Sequence, residues 1–441
     1  MLDIWNYKKN FALDTPLDPG HPFLVDLNAA RGEYHRGRLL REFGFQVGRG
    51  VLQEPVQSYC VLFGGHRGCG KSTELREIAR QLEGPEAYFV VQIDALKSLD
   101  INNLQYADLA LSMAEGLLEA ADLAGLEIPP VFLTPLRDWF KQITQSTSLE
   151  RSQSAELQAG LELKAELPFI SKLFASLRTA IRDNTTHKTE IRESVRNSFS
   201  ALAKHFNALL AKLEEEVAAQ HKGQGVLFVV DGTDRLSADE ACAFFIQDIH
   251  QMRLLQANCI YCAPISVLNE QGQVSQNFDA VFRLPMIKLG EKGAPVSTDP
   301  SSRIPAAWAQ LREFVHRRLP AEGFDHPDTL DVLIAHSGGH PRDLLRLIKL
   351  CFQQLDEGPI TRSVAETAAR LLSNEYRRLV QPEDWPVLAS IDQGPKEDTP
   401  NTEQTRRLLY DLVLLEYNGY WWQTHPAVRA LPGYPKPAAT P

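Results

Sequence analysis

Eight consecutive residues carry the clearest chemistry in this chain: Gly65-His66-Arg67-Gly68-Cys69-Gly70-Lys71-Ser72. A glycine, four residues, then Gly-Lys-Ser is the spacing of a loop that wraps nucleotide phosphates. Its glycines let backbone N–H groups turn inward, and a following helix adds partial positive charge. In such a loop Lys71 reaches the β- and γ-phosphates and the Ser72 hydroxyl ligates Mg²⁺. Thr73 completes the set of expected phosphate contacts. A carboxylate must hold the metal from elsewhere. Asp231, which ends the apolar run Val226-Leu227-Phe228-Val229-Val230, is placed to do so. No glutamate follows it. Asp234 is the nearest group to polarise an attacking water, and a helix N-cap role suits it equally well.

The elements needed to position these groups are present. Residues 59–63 read as a buried strand before the loop, and residues 73–82 carry apolar residues at helical spacing after it. Strand signals at 60–63, 88–94, 226–231, 257–265 and 280–287 alternate with helical patterns, which predicts an α/β fold with a mostly parallel five-stranded sheet. A lead-in spans 1–50, with a helix expected over 28–43. The core spans 51–290 and is interrupted by a long, mostly helical insertion at about 97–222. Within the insertion, residues 157–167 alternate like a hairpin strand and sit in a helical neighbourhood, so hairpin and helix both stand. A long helix is expected over 190–216, its apolar stripe facing the core. A Gly/Pro/Ser-rich linker at 288–304 leads to helices over 305–372.

Those helices include Ser337-Gly338-Gly339-His340-Pro341-Arg342. Arg342 falls in a first turn, where the helix dipole disfavours a cation. Something else must reward it, and a γ-phosphate would. Residues 376–432 read as helices followed by an aromatic hairpin around Asn418-Gly419, a winged-helix-like arrangement. A Pro-rich tail fills 433–441.

Bulk properties narrow the class. Net charge is −10, so there is no general attraction to nucleic acid or acidic lipid. No apolar run approaches the roughly 20 residues of a bilayer span, and the first residues lack a signal-peptide pattern. The six cysteines are scattered, several in apolar runs, which suits reduced thiols and a cytoplasmic protein. Cys259 and Cys262 fall on a strand and face opposite sides, so metal binding is not expected there. His66, His205, His250, His336 and His340 show no metal spacing.

The loop at 65–72, the Asp231/Asp234 strand end, the next strand ending near Ser266 and the Gly-Gly-His-Pro-Arg helix opening resemble those of AAA+ ATPases. More narrowly, they are similar to the STAND and origin-initiator-like branches. The resemblance covers roughly residues 20–432. It implies ATP and Mg²⁺ as ligands, Asp231 as the Walker B carboxylate, Arg342 as the sensor 2 arginine, and Ser266 or Cys262 near sensor 1. It also offers Arg283 as an arginine finger for a neighbouring subunit, beside the plainer reading of a strand-edge arginine. Two departures stand out: Lys71 and Asp231 lie 160 residues apart, and the usual Asp-Glu pair is missing.

The implied activity is slow ATP hydrolysis in a switch that assembles as a homo-oligomer or recruits a protein effector. By analogy, such switches serve bacterial stress or antiviral defence. The alternative is an ATP-dependent DNA-binding initiator or transposition-type regulator. Residues 361–441 hold nine Lys/Arg against ten Asp/Glu. A DNA footprint should be basic, so a protein partner is favoured.

Overall fold

The computed structural model describes residues 4–32, 34–146, 166–183, 188–292, 300–397, 399–418 and 421–435. Two compact units make up the chain. One comprises Gly37–Phe63 and Glu77–Phe282. The other joins Met1–Arg36, Gly64–Arg76 and Arg283–Pro441. The phosphate loop therefore belongs with the N-terminal segment and the C-terminal third, a division the boundary expected at residue 51 did not foresee.

The first unit is built on a five-stranded sheet. Its strands are β1 (Cys60–Gly65), β2 (Phe89–Asp94), β3 (Val226–Asp231), β4 (Asn258–Pro264) and β5 (Ala280–Leu284), in the order β2-β3-β4-β1-β5. β2 pairs parallel to β3, and β3 parallel to β4. β1, β3 and β4 are almost wholly buried, as their unbroken apolar runs require of strands covered on both faces. All five lie within a few residues of their expected positions.

The insertion between β2 and β3 is helical where it is described. Its helices are α2 (Tyr106–Leu123), α3 (Pro130–Ser146), α4 (Leu167–Asp183), α5 (Lys188–Asn197) and α6 (Phe199–Ala219); α1 (Lys71–Leu82) precedes them after the phosphate loop. The long helix expected over 190–216 is broken at Ser198, which leaves the helical region at φ −108° and ψ 11°. The Ser198 hydroxyl bonds back to the Ser194 carbonyl at 2.9 Å and accepts the Trp139 indole N–H at 2.9 Å. A side chain competing for the backbone in this way ends one helix before the next begins. The apolar stripe Phe199, Leu202, Phe206, Leu209, Leu210 and Leu213 is buried core, as expected. Most of the 157–167 segment lies outside the described residues, and Leu167 opens α4.

Two buried ion pairs pin the insertion. Arg192 Nε donates to Asp108 Oδ1 at 3.0 Å, and their side chains are 6% and 3% exposed. Arg178 binds Glu115 through two bonds, at 2.5 and 2.9 Å.

In the second unit, the helix expected over 28–43 is instead a 3₁₀ turn, Asn28–Ala30, and a separate helix, Arg36–Glu42, which begins where the chain enters the first unit. Gly32 separates the two at φ 65°, and a Cβ there would lie 2.8 Å from Asn418 Oδ1. The C-terminal third contains α7 (Pro305–His316), α8 (Pro327–Ser337), α9 (Pro341–Phe352) and α10 (Arg362–Tyr376), then α11 (Asp384–Gln393) and α12 (Glu403–Tyr410). A hairpin of β6 (Leu414–Asn418) and β7 (Trp421–Thr424) follows, closed by the one-turn helix α13 (Pro426–Arg429). This is the helices-then-hairpin order read from the sequence. The tip residues Gly419 and Tyr420, and the tail from 436 onward, lie outside the described residues.

Candidate functional site

The phosphate loop runs from the end of β1 to Lys71, which is the first residue of α1. Strand, loop and helix thus follow in the order the motif needs. Lys71 is 3% exposed, and its ammonium donates to the carbonyls of Gly65 at 2.9 Å and His66 at 2.8 Å. Gly68 sits at φ 85°. A Cβ there would lie 2.7 Å from His340 Nε2 and 2.9 Å from the Arg342 Cβ, so glycine is obligatory on both counts. Thr73 Oγ1 accepts the Leu17 N–H at 3.2 Å. Cys69 is fully buried, while Arg67 is exposed.

The helix opened by Gly-Gly-His-Pro-Arg reaches this loop. His340 Nε2 faces the Arg67 carbonyl at 3.0 Å. Arg342 packs its aliphatic stem against Gly68 and sends its guanidinium to Asp14 Oδ1 at 2.9 Å and the Leu13 carbonyl at 3.3 Å. The unfavourable place of a cation in the first turn of α9 is offset by that carboxylate. The structure therefore places Arg342 beside the loop.

His66 ties the loop to the C-terminal hairpin. The ring is fully buried. Its Nε2 accepts the Glu416 N–H at 2.8 Å, which places the ring proton on Nδ1, facing the Leu409 carbonyl at 3.1 Å. Burial, with the positive charge of His340 and Lys71 nearby, holds its pKa well below 6.5. Arg283 lies in the same neighbourhood. It is paired with the buried Glu416 carboxylate at 3.2 Å, and Glu416 also accepts the Trp422 indole N–H at 3.0 Å. The candidate arginine finger is thus engaged inside its own chain.

A second buried polar centre stands behind His340. His340 Nδ1, His425 Nε2 and the Tyr376 hydroxyl converge on Asp343 Oδ2 at 3.0, 3.2 and 2.7 Å. Burial pushes the Asp343 carboxyl up, but the two histidines outweigh it and hold it well below the usual carboxylate range. The three ligating atoms of His340, Asp343 and His425 lie within 4.8 Å of one another, close enough for a metal ion. The proton count argues against one. His425 Nδ1 accepts the Ala427 N–H at 3.0 Å, so the neutral ring carries its proton on Nε2 and has no lone pair to give there. This centre was not read from the sequence. A signal existed in the repeated His-Pro step, since His340-Pro341 and His425-Pro426 each open a helix.

In the sheet-bearing unit, Asp231 ends β3 and its Oδ1 accepts the Gly232 N–H at 2.8 Å. Asp234 lies in the short turn Thr233–Arg235 that follows. The ligating atoms of Asp231, Asp234 and Cys262 fall within 4.8 Å of one another. The Thr233 hydroxyl fixes this turn by donating to the Cys262 carbonyl. Two neighbouring carboxylates are the hard oxygen donors Mg²⁺ takes, and the thiol is a poor third. Cys262 is thus beside Asp231, while Ser266, buried in the short helix Ile265–Leu268, has a hydroxyl without a hydrogen-bond partner among the described residues. Asp94 also ends its strand opposite Asp231, but it caps the turn after it through the Leu96 N–H at 3.1 Å.

No protein-family model matches the sequence, and no curated protein does. Among solved structures the chain is similar to Cdc6p from Pyrobaculum aerophilum, at 12% identity and a TM-score of 0.34, over 92% of this chain and 96% of that one. A likeness of that strength carries no functional weight. No helix among the described residues is long and apolar enough to cross a membrane.

Proposed function

We propose that this chain is an ATP-binding and slowly hydrolysing switch of the AAA+ type, nearest to the STAND and initiator-like branches. One observation carries the reading: the Gly-x4-Gly-Lys-Ser loop leaves a buried parallel-sheet strand and ends at the first residue of a helix. That helix start and the loop N–H groups suit a polyphosphate. Lys71 takes the β- and γ-phosphates, and Ser72 and Asp231 hold Mg²⁺, which neutralises charge developing on the phosphate oxygens. Asp234 is the nearest water-orienting carboxylate. With no glutamate after Asp231, turnover is slow. Arg342 exchanges Asp14 for the γ-phosphate when ATP is present.

The switch reading draws support from His66 and His340. Both bind the phosphate loop to C-terminal elements through their ring nitrogens. A ligand that reshapes the loop therefore has differential contacts with which to shift those elements. The output is homo-oligomer assembly or capture of an effector protein, with release of Arg283 from Glu416 freeing it to act on a neighbour. A DNA-binding output is less favoured. On α12, Arg407 is already committed to Asp384 at 2.6 Å and to Asp411 at 3.8 Å.

The test is size-exclusion chromatography with light scattering, without nucleotide and with MgATP, for the wild type and Asp231→Ala, alongside phosphate release. An ATP-dependent change of assembly that Asp231→Ala traps supports the switch. A protein that stays monomeric and releases no phosphate under every condition overturns it.

A further inference from the structure

Arg31 is a buried cation that the phosphate-binding motif leaves unexplained. It is 5% exposed and directly follows the 3₁₀ turn Asn28–Ala30. Its guanidinium forks between two carbonyls: Nη1 donates to Pro285 at 2.5 Å and Nη2 to Cys69 at 2.6 Å. Pro285 is the residue after β5, and Cys69 precedes the third glycine of the phosphate loop, Gly70. No carboxylate pairs with Arg31 among the described residues. A guanidinium withdrawn from water and held by neutral oxygens alone is costly unless a negative charge arrives nearby.

The geometry of the Cys69–Gly70 peptide says where that charge comes. Among the described residues there are no cis peptide bonds, and in a planar trans peptide the C=O and N–H point in opposite directions. With the Cys69 carbonyl turned to Arg31, the Gly70 N–H is turned away from it. It finds no acceptor among the described residues. Room for this arrangement depends on Gly70, since a Cβ there would lie 3.3 Å from Arg31 Nη2. Inward-turned N–H groups are what a phosphate loop uses to hold its anion.

We propose that Arg31 is a positioning residue of the phosphate loop. It fixes the Cys69–Gly70 peptide so that the Gly70 N–H is presented to a nucleoside di- or triphosphate, and it places a permanent positive charge behind that N–H. The inference rests on the nucleotide reading above and adds a residue outside the motif. The fork matters as much as the charge. Lysine offers a point charge without the rigid planar fork that holds these two carbonyls in fixed directions.

The experiment is titration calorimetry of the full chain with MgADP and MgATP, well below the melting temperature, for wild type, Lys71→Ala, Arg31→Lys and Arg31→Ala. Nucleotide-free melting curves accompany each. Arg31→Lys is expected to weaken both nucleotides on the order of tenfold, the worth of one hydrogen bond to a charged group. A residue that only props up the fold would lower the melting temperature and leave affinity untouched, which overturns the proposal. Wild-type affinity in Arg31→Lys overturns it as well, and decides the matter alone should Arg31→Ala not fold. Two failures are distinguishable. A wild type that binds neither nucleotide sinks the nucleotide reading and this inference together. A wild type that binds, with Lys71→Ala that does not and Arg31→Lys that is unaffected, sinks only the role of Arg31.

Discussion

In the insertion, buried charge is met by buried charge. Arg192 grips Asp108 and Arg178 grips Glu115, each by two or more bonds, inside a leucine-rich helical core. Around the phosphate loop, the ion pairs of Arg342 with Asp14 and of Arg283 with Glu416 sit beside polar groups held in another way. His66, His340 and Arg31 face backbone carbonyls or N–H groups, and Asp343 accepts the Tyr376 hydroxyl with ring nitrogens of His340 and His425 at 3.0 and 3.2 Å. Paired guanidinium and carboxylate groups suit a part that stays as it is. Imidazoles bound to backbone can exchange partners at small cost, which suits a part that must answer a ligand. The difference separates a scaffold held by paired charges from a centre whose buried rings are held by the backbone.

The largest effect should come from breaking the scaffold. Arg192→Met leaves Asp108 buried and unpaired, and should cost about 3–5 kcal/mol in urea unfolding. Replacing both partners by apolar residues should restore most of that loss. If the single variant is harmless, the insertion is not pinned as described. Next, Lys71→Ala should weaken MgATP by about 100-fold or more, equivalent to roughly 2.7 kcal/mol, with little change in unfolding of the nucleotide-free protein. Tyr376→Phe removes the hydroxyl that donates to buried Asp343 and should cost about 1–3 kcal/mol. A cost near zero would mean that His340 and His425 suffice.

Proton linkage sharpens the contrast further. His66 and His425 both have depressed pKa values, chiefly through burial, so the unfolded chain binds protons that the folded chain refuses. Stability should therefore fall as pH drops below 6.5, by up to about 1.4 kcal/mol per pH unit for each ring. Asp343, also depressed, adds stability that is present above pH 3.8 and is lost only below it. Melting curves between pH 7 and 5 should show the slope, and replacing His425 should flatten it. The smallest effect belongs to the surface. Asp18 is 79% exposed where it meets Arg76, and Asp18→Asn should change unfolding by about 0.5 kcal/mol or less.

Much of this was legible in the sequence, for reasons that differ by residue. The five strands announced themselves because buried parallel strands need continuous apolar runs, and 226–231 offers little else. The loop at 65–72 was legible because phosphate contact constrains adjacent residues. The break at Ser198 was not, since it depends on a tryptophan 59 positions earlier. Nor was the meeting of His66 with Glu416, 350 positions apart, or of Asp343 with His425. Hydrogen bonds between distant segments leave no period in a sequence. Arg31 hid for the same reason, inside a stretch read as one continuous helix.

The second unit is assembled from three stretches of chain, and its phosphate loop occupies only the short middle one, Gly64–Arg76. A ribosome that has just added Arg76 has 340 more residues to add before it reaches Glu416. At ~5–20 residues per second, the loop waits tens of seconds for Glu416, His340 and Arg342 to exist. During that interval the loop has none of its C-terminal restraints. A nucleotide met then would be bound by a loop of different rigidity from the finished one. If the proposed nucleotide binds, the order of synthesis would give the newborn protein a first encounter with it that the mature protein never repeats.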